Sequence, residues 1–204
     1  MSQNSSGRRD KVYGGAMKRI GNSFTHIQLA LIIFTILSGY VSSFSLKTSC
    51  MVKAPPDELF TFIATPTNWP SIVASSHSVK KSSIRNNNID KPLMVGDCVE
   101  EIFGLPPLLP LTVVWECMVA DKENGVLEFY SKDGVPNLAK ECSMKFKISS
   151  SNNSNGTFDD TNVDLVMGYQ AINPLVFAAT PLLNLDNNLA LKVLLPLAIE
   201  RQKK

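Results

Sequence analysis

The sequence predicts one α+β domain, in which a strand and two short helices precede six antiparallel strands and a long C-terminal helix. Two observations carry this prediction. A strand-like stretch leads directly into a helix that begins at Pro55 and Pro56, and apolar residues then alternate with polar ones in several stretches between residues 79 and 169. The 204 residues, 44% of them hydrophobic, suffice for one domain with its own core.

The first strand covers residues 46–52, where apolar and polar residues alternate. The helix after it carries Asp57 and Glu58 in its first turn, where acidic side chains favour a helix. Pro66 ends this helix, because the residue before a proline avoids helical geometry. A second short helix is expected over about residues 71–75.

Six further strands are separated by turn signals such as Asn124-Gly125. Most of them show one apolar and one polar face, as expected for a sheet with one side against a core. The predicted strands are residues 79–85, 97–103, 112–120, 126–131, 142–148 and 163–169.

The C-terminal helix is predicted to begin with Thr180 as its cap and Pro181 at its first position. Pro196 lies inside this helix, where proline costs about 3 kcal/mol or forces a kink. We expect an apolar stripe at helical spacing as its inward face: Leu182, Leu185, Leu189, Val193 and Leu197. Leu183, Ala190 and Leu194 widen this stripe.

Together with Ala54-Pro55 and Asn68-Trp69-Pro70, this order of elements resembles the START-like superfamily, also called SRPBCC or the polyketide cyclase/dehydrase and lipid-transport proteins. The resemblance covers residues 45–203 and rests mainly on the order of elements. It implies a helix-grip fold, in which a curved seven-stranded antiparallel sheet wraps around the C-terminal helix. It also implies a cavity for a lipid, sterol, isoprenoid, quinone or polyketide.

The resemblance implies several functions, because members are carriers, ligand sensors, cyclases or aromatases, and hydroxylase subunits with metal centres. We expect a non-enzymatic protein that binds a hydrophobic small molecule and needs no cofactor. Transfer of that molecule is a further function that the resemblance allows. A cyclase, aromatase or dehydratase on the same scaffold is the alternative. A membrane-tethered interaction protein is the third.

Ten residues fall on faces that we interpret as lining the cavity, with ordinary core packing as the alternative for each. They are Trp69, Phe103, Trp115, Phe129, Met144, Phe146, Met167, Tyr169, Leu189 and Val193. Residues 104–111 form an apolar, proline-rich connection. It is interpreted as a gate (Leu105, Leu108, Leu109), as a tip that transiently touches a membrane or partner, or as a packed loop.

The catalytic candidates are Glu100, Glu101 and Tyr169. Alternation along a strand directs one of the two adjacent carboxylates inward, unless a bulge leaves both in water. An inward carboxylate could act as a general acid or base. Tyr169 could offer a hydrogen bond that orients a ligand.

The charges and cysteines argue against two other classes. Residues 1–43 hold five basic residues and one acidic residue, which leaves 15 basic and 17 acidic residues in the rest, so no basic nucleic-acid footprint is present there. The four cysteines match no zinc spacing, and no metal site is expected. Buried thiols are favoured, with Cys98 and Cys117 as the best candidates for a disulfide.

The amino terminus divides the chain into residues 1–43 and a ligand-binding domain over residues 44–204. A basic lead, the apolar run 29–37 and small residues before Phe44 predict a cleaved signal peptide, with Met17 as a candidate start. The chain would then enter the secretory route, or a plastid by an alga-type bipartite signal. The alternatives are a membrane anchor over residues 27–46 and a buried helix of the domain.

Overall fold

The computed structural model describes residues 42–83, 88–105, 109–151 and 160–203, with the backbone alone for Leu105 and Leu109. Residues 1–41, which hold most of the predicted signal peptide or anchor, lie outside the described residues. The predicted cleavage point after Ser43 falls within the first strand. The signal peptide and the compartment therefore stay predictions.

The described residues contain a seven-stranded sheet in which every neighbouring pair is antiparallel. Its spatial order is β1-β7-β6-β5-β4-β3-β2, so the first strand pairs with the last. The strands are β1 (Ser42–Lys53), β2 (Ser76–Lys81), β3 (Cys98–Leu105), β4 (Leu109–Asp121), β5 (Val126–Ser131), β6 (Ala139–Ser150) and β7 (Asp160–Ala171). This is the predicted sheet, and the predicted strands overlap the observed ones. The second strand is the exception in its bounds, because it covers Ser76–Lys81 and not residues 79–85.

Two short helices follow β1, as predicted. Helix α1 covers Pro56–Ala64, and α2 covers Trp69–Ile72 after a single 3-10 turn, so α2 begins and ends earlier than the predicted residues 71–75. The Trp69 indole Nε1 donates a hydrogen bond to the Ile63 carbonyl at 2.8 Å. The Asn68 amide donates to the Phe62 carbonyl at 2.9 Å. These two bonds tie α2 to the end of α1 and direct the Trp69 ring into the core.

The C-terminal helix consists of α3 (Leu175–Leu189), a π-helical segment (Ala190–Leu194) and α4 (Leu195–Gln202). The predicted start at Thr180 and Pro181 is wrong, because the helix begins at Leu175 and Pro181 lies inside it. The Thr180 hydroxyl does not cap the helix. It donates instead to the Val176 carbonyl one turn earlier, at 2.9 Å.

The π-helical segment ends two residues before Pro196. Proline cannot donate to the carbonyl four residues earlier, and its ring clashes with that carbonyl in an α-helix. A π-helical turn is wider and uses a longer hydrogen-bond step, so it absorbs this mismatch. A local change from α-helix to π-helix therefore reduces the free-energy cost predicted for Pro196, and the helix continues to Gln202.

The core lies between the sheet and the helices, with Phe129, Leu195 and Ile199 among its fully buried side chains. Among the described residues, one helix, Leu175–Gln202, is long and apolar enough to span a membrane by length and composition alone. It is also the core helix of the fold, and its inner side is buried.

None of the four cysteines is in a disulfide, so the candidate Cys98–Cys117 disulfide is not formed. Strands β3 and β4 pair with each other, as expected, but the residue opposite Cys98 is Glu116. Directly paired residues share a face of the sheet, and consecutive residues point to opposite faces. Cys117 therefore points away from Cys98.

Candidate functional site

A cavity of about 110 Å³ lies between the sheet, the two short helices and the C-terminal helix. Its wall is mainly apolar. The structure places seven of the ten predicted ligand-contacting residues on this wall: Trp69, Phe103, Trp115, Phe129, Met144, Phe146 and Met167. Period-two alternation found the strand residues among them, while ligand contact itself stays a prediction.

The expectation that Tyr169 faces the cavity is wrong. Its hydroxyl is hydrogen-bonded to the Thr180 hydroxyl at 3.0 Å. Its ring stacks on Phe44, with the ring centroids 5.3 Å apart, and Phe44 in turn meets Phe177 edge-on. Tyr169 therefore joins β7 to β1 and α3 away from the cavity wall.

The expectation that Leu189 and Val193 face the cavity is also wrong. They are 38% and 45% exposed, and they lie on the outer side of the C-terminal helix. The inner side carries a different set of residues. Those on the cavity wall are Leu183, Asp186, Asn187, Ala190 and Leu191.

Sequence reasoning included Leu183 and Ala190 at the edge of the apolar stripe but did not assign them to the cavity. It missed Asp186, Asn187 and Leu191, together with wall residues from other elements: Ile63, Ile72, Val73, Ser75 and Leu165. Leucine and valine occur all around the C-terminal helix, so several stripes fit an apolar face about equally well. The pair Asp186-Asn187 within this apolar region was a usable signal. Two polar residues there argue for a specific environment on that side of the helix.

The predicted gate residues are not described in side-chain detail. Residue 108 lies outside the described residues, and only the backbone of Leu105 and Leu109 is described. These two residues pair with each other at the end of the β3–β4 hairpin. The roles proposed for residues 104–111 therefore stay predictions.

Glu101 supplies the cavity with a buried carboxyl group. It is 7% exposed, and its Oε2 accepts a hydrogen bond from Trp115 Nε1 at 2.8 Å. Burial raises the pKa of the Glu101 carboxyl, the nearby Asp186 charge adds to the rise, and the hydrogen bond from Trp115 opposes it. Glu100 is partly exposed and is not on the cavity wall, so alternation without a bulge in β3 directs Glu101 inward.

Asp186, Asn187 and Ser75 complete the polar part of the wall. The Ser75 hydroxyl donates to Asp186 Oδ2 at 2.6 Å. Asn187 is only 8% exposed, and its amide Nδ2 has no hydrogen-bond partner among the described residues. The cavity thus combines an apolar wall with a carboxyl group and an unused amide donor.

The remaining reactive groups do not extend this site. Burial raises the pKa of the Cys50, Cys117 and Cys142 thiols to about 11, which disfavours the thiolate needed for nucleophilic attack. Within the described ranges, no group of three or more His, Cys, Asp or Glu side chains is placed to hold a metal ion.

Neither a protein-family model nor a curated protein sequence matches the chain. Solved structures do match it. The protein TTHA0849 from Thermus thermophilus is 13% identical with a TM-score of 0.61, and the match covers 79% of this chain and 100% of that one. A norcoclaurine synthase point mutant from Thalictrum flavum, in complex with a transition-state analogue, is 11% identical with a TM-score of 0.51 over 80% and 98% of the two chains.

The di-domain ARO/CYC protein BexL, from the BE-7585A biosynthetic pathway, is 17% identical with a TM-score of 0.55. The match covers 76% of this chain and 47% of BexL, so the chain spans about half of that protein's length. Identities this low show a common fold. The START-like resemblance predicted from the sequence is thus confirmed as a shared fold, and the chain has the helix-grip fold.

Proposed function

We propose that the protein binds a hydrophobic small molecule in the cavity between the sheet and the C-terminal helix. The observation that carries this proposal is the wall itself, which brings Trp69, Phe129, Phe146 and two methionines around one space. An apolar wall with a few polar groups is typical of small-molecule sites. Burial of the ligand would supply roughly 25 cal/mol per Å² of apolar surface.

The size of the cavity restricts the ligand. Its volume of about 110 Å³ is below the roughly 300–1,000 Å³ of common ligand pockets. It is closer to the roughly 150 Å³ of an apolar cavity that accepts benzene. The part of the ligand that fits this cavity is therefore an aromatic ring or a short branched chain, such as one isoprene unit.

A larger lipid, sterol or polyketide would require the wall to move. Met144 and Met167 face the cavity, and their flexible thioether side chains can adopt other shapes at low cost. We propose that these two residues adjust to the ligand. Their methyl groups also provide a direct probe of occupancy.

The test is a titration of the full-length chain with toluene, followed by NMR of the methionine methyl groups. Saturable shifts of the Met144 and Met167 signals are expected. Ala190→Leu adds a side chain to the cavity wall and should abolish the shifts, whereas Ala178→Leu, on the exposed side of the same helix, should retain them. A folded wild-type chain without saturable shifts would contradict the proposal.

Proton-transfer chemistry of the cyclase or dehydratase type is the second candidate, and buried Glu101 is the observation that favours it. Tyr169 cannot assist, because it lies away from the cavity wall. The test is exchange of the methyl protons of acetophenone for deuterium. If Glu101 performs proton transfer, wild type should accelerate the exchange and Glu101→Gln should not; equal rates would dismiss this candidate.

A further inference from the structure

The Asn187 side chain is the feature of the cavity that ordinary packing does not explain. It lies on the inner side of the C-terminal helix next to Leu191, and its Nδ2 is buried without a partner in the described part of the chain. A buried amide that makes no hydrogen bond costs about 1–3 kcal/mol, and few such groups occur in a native protein. A leucine at this position would avoid the cost, so the amide indicates a partner that is supplied from outside the chain.

The groups around Asn187 define the chemistry of that partner. Glu101 and Asp186 are on the same cavity wall, and both carry carboxyl groups. A ligand carboxylate would meet the Asp186 charge in a mainly apolar site, where an unpaired charge is costly to bury. The ligand atom that faces Asn187 must therefore accept a hydrogen bond without carrying a full negative charge.

We infer that the ligand is a neutral carbonyl compound, such as an aryl ketone or a quinone, whose oxygen accepts a hydrogen bond from Asn187 Nδ2. A carbonyl oxygen has two lone pairs, so it can also accept from Glu101 when that carboxyl group is protonated. The Trp115 Nε1–H is not available to the ligand, because it already donates to Glu101. This inference rests on the proposed function and narrows its ligand class.

The experiment compares acetophenone with isopropylbenzene, which has nearly the same shape but no oxygen. Dissociation constants are measured by NMR titration for the full-length wild type, Asn187→Leu and Asn184→Leu, with benzoate as a charged probe. Asn184 lies on the exposed side of the same helix, so its variant is the matched control. For each variant, the affinity for acetophenone is divided by the affinity for isopropylbenzene. Comparing this ratio between variants cancels the difference in hydrophobicity between the two ligands.

We expect Asn187→Leu to lower the affinity for acetophenone relative to isopropylbenzene by about 3- to 10-fold, the worth of one hydrogen bond. The ratio should be unchanged in Asn184→Leu, and benzoate should bind wild type at least about tenfold more weakly than acetophenone. In wild type, the Asn187 side-chain amide signal should move with acetophenone and stay in place with isopropylbenzene. This last measurement does not depend on the folding of a variant.

The inference would be overturned if Asn187→Leu left the ratio of acetophenone to isopropylbenzene affinity unchanged. It would also be overturned if the Asn187 side-chain amide signal did not shift on addition of acetophenone. Benzoate binding as tightly as acetophenone would overturn it as well. If isopropylbenzene still binds in these cases, the cavity takes apolar molecules and the proposed function stands. If no neutral probe binds to folded wild type, both the proposed function and the inference fail.

Discussion

The two sides of the C-terminal helix are both rich in large apolar residues, yet they lie in opposite environments. The inner side buries Leu191, Leu195 and Ile199, which are at most 2% exposed. The outer side leaves its large residues accessible, with Leu182 and Leu185 each 65% exposed. Hydropathy alone therefore does not determine which side of this helix faces the core.

The polar residues reverse the usual pattern. Asp186 and Asn187 are on the cavity wall, while leucines occupy the solvent side. Asp186 has a partner in Ser75, whereas the buried Asn187 Nδ2 has none among the described residues and therefore costs stability unless a ligand supplies one, as we propose.

The difference between the two sides of the helix is tested most strongly by truncating one leucine on each side. Leu195→Ala should lower the free energy of unfolding by about 2–5 kcal/mol, because Leu195 is fully buried and its loss leaves a cavity. Leu185→Ala should change it by no more than about 0.5 kcal/mol, because that side chain is largely in solvent. Urea unfolding of both variants measures the difference. Equal losses would mean that the outer side is also covered.

The strands and their inward residues could be predicted from the sequence, because a period of two leaves one choice for each strand. Val113, Trp115 and Cys117 share a buried face as the alternation requires. The same rule, applied to Glu100-Glu101, reduces the choice to one inward carboxylate or a bulge. The structure selects Glu101.

The helix face could not be predicted in this way. Apolar residues occur on several sides of the C-terminal helix, so more than one stripe with a spacing of three or four residues can be drawn. Packing against the sheet determines which of these stripes is buried. The predicted stripe therefore puts Leu189 and Val193 on the wrong side. The prediction for Tyr169 is wrong for another reason: its ring stacks on Phe44, and this contact depends on the pairing of the first strand with the last.

The helix backbone offers a second comparison, between the two prolines within the C-terminal helix. Pro181 lies inside α3, and Pro196 follows the π-helical segment. Pro181→Ala should restore a hydrogen bond in the middle of a helix and raise the free energy of unfolding by on the order of 1–3 kcal/mol. Pro196→Ala should change it less, because the π-helical segment already accommodates the ring. Thermal and urea unfolding measure both variants, and a larger gain at Pro196 would contradict this account.

The inner side also makes stability depend on pH through Glu101. Burial raises the pKa of its carboxyl group, so the folded chain keeps a proton that the unfolded chain loses above the ordinary glutamate pKa of about 4.3. The contribution of Glu101 to the free energy of unfolding should therefore be complete below that pH. It should fall by up to about 1.4 kcal/mol per pH unit until the raised pKa is passed.

Glu101→Gln keeps an acceptor for Trp115 and should remove this slope, whereas Glu100→Gln, outside the cavity wall, should retain it. Urea unfolding in pH steps tests the assignment, and a slope that survives Glu101→Gln would assign it to another group.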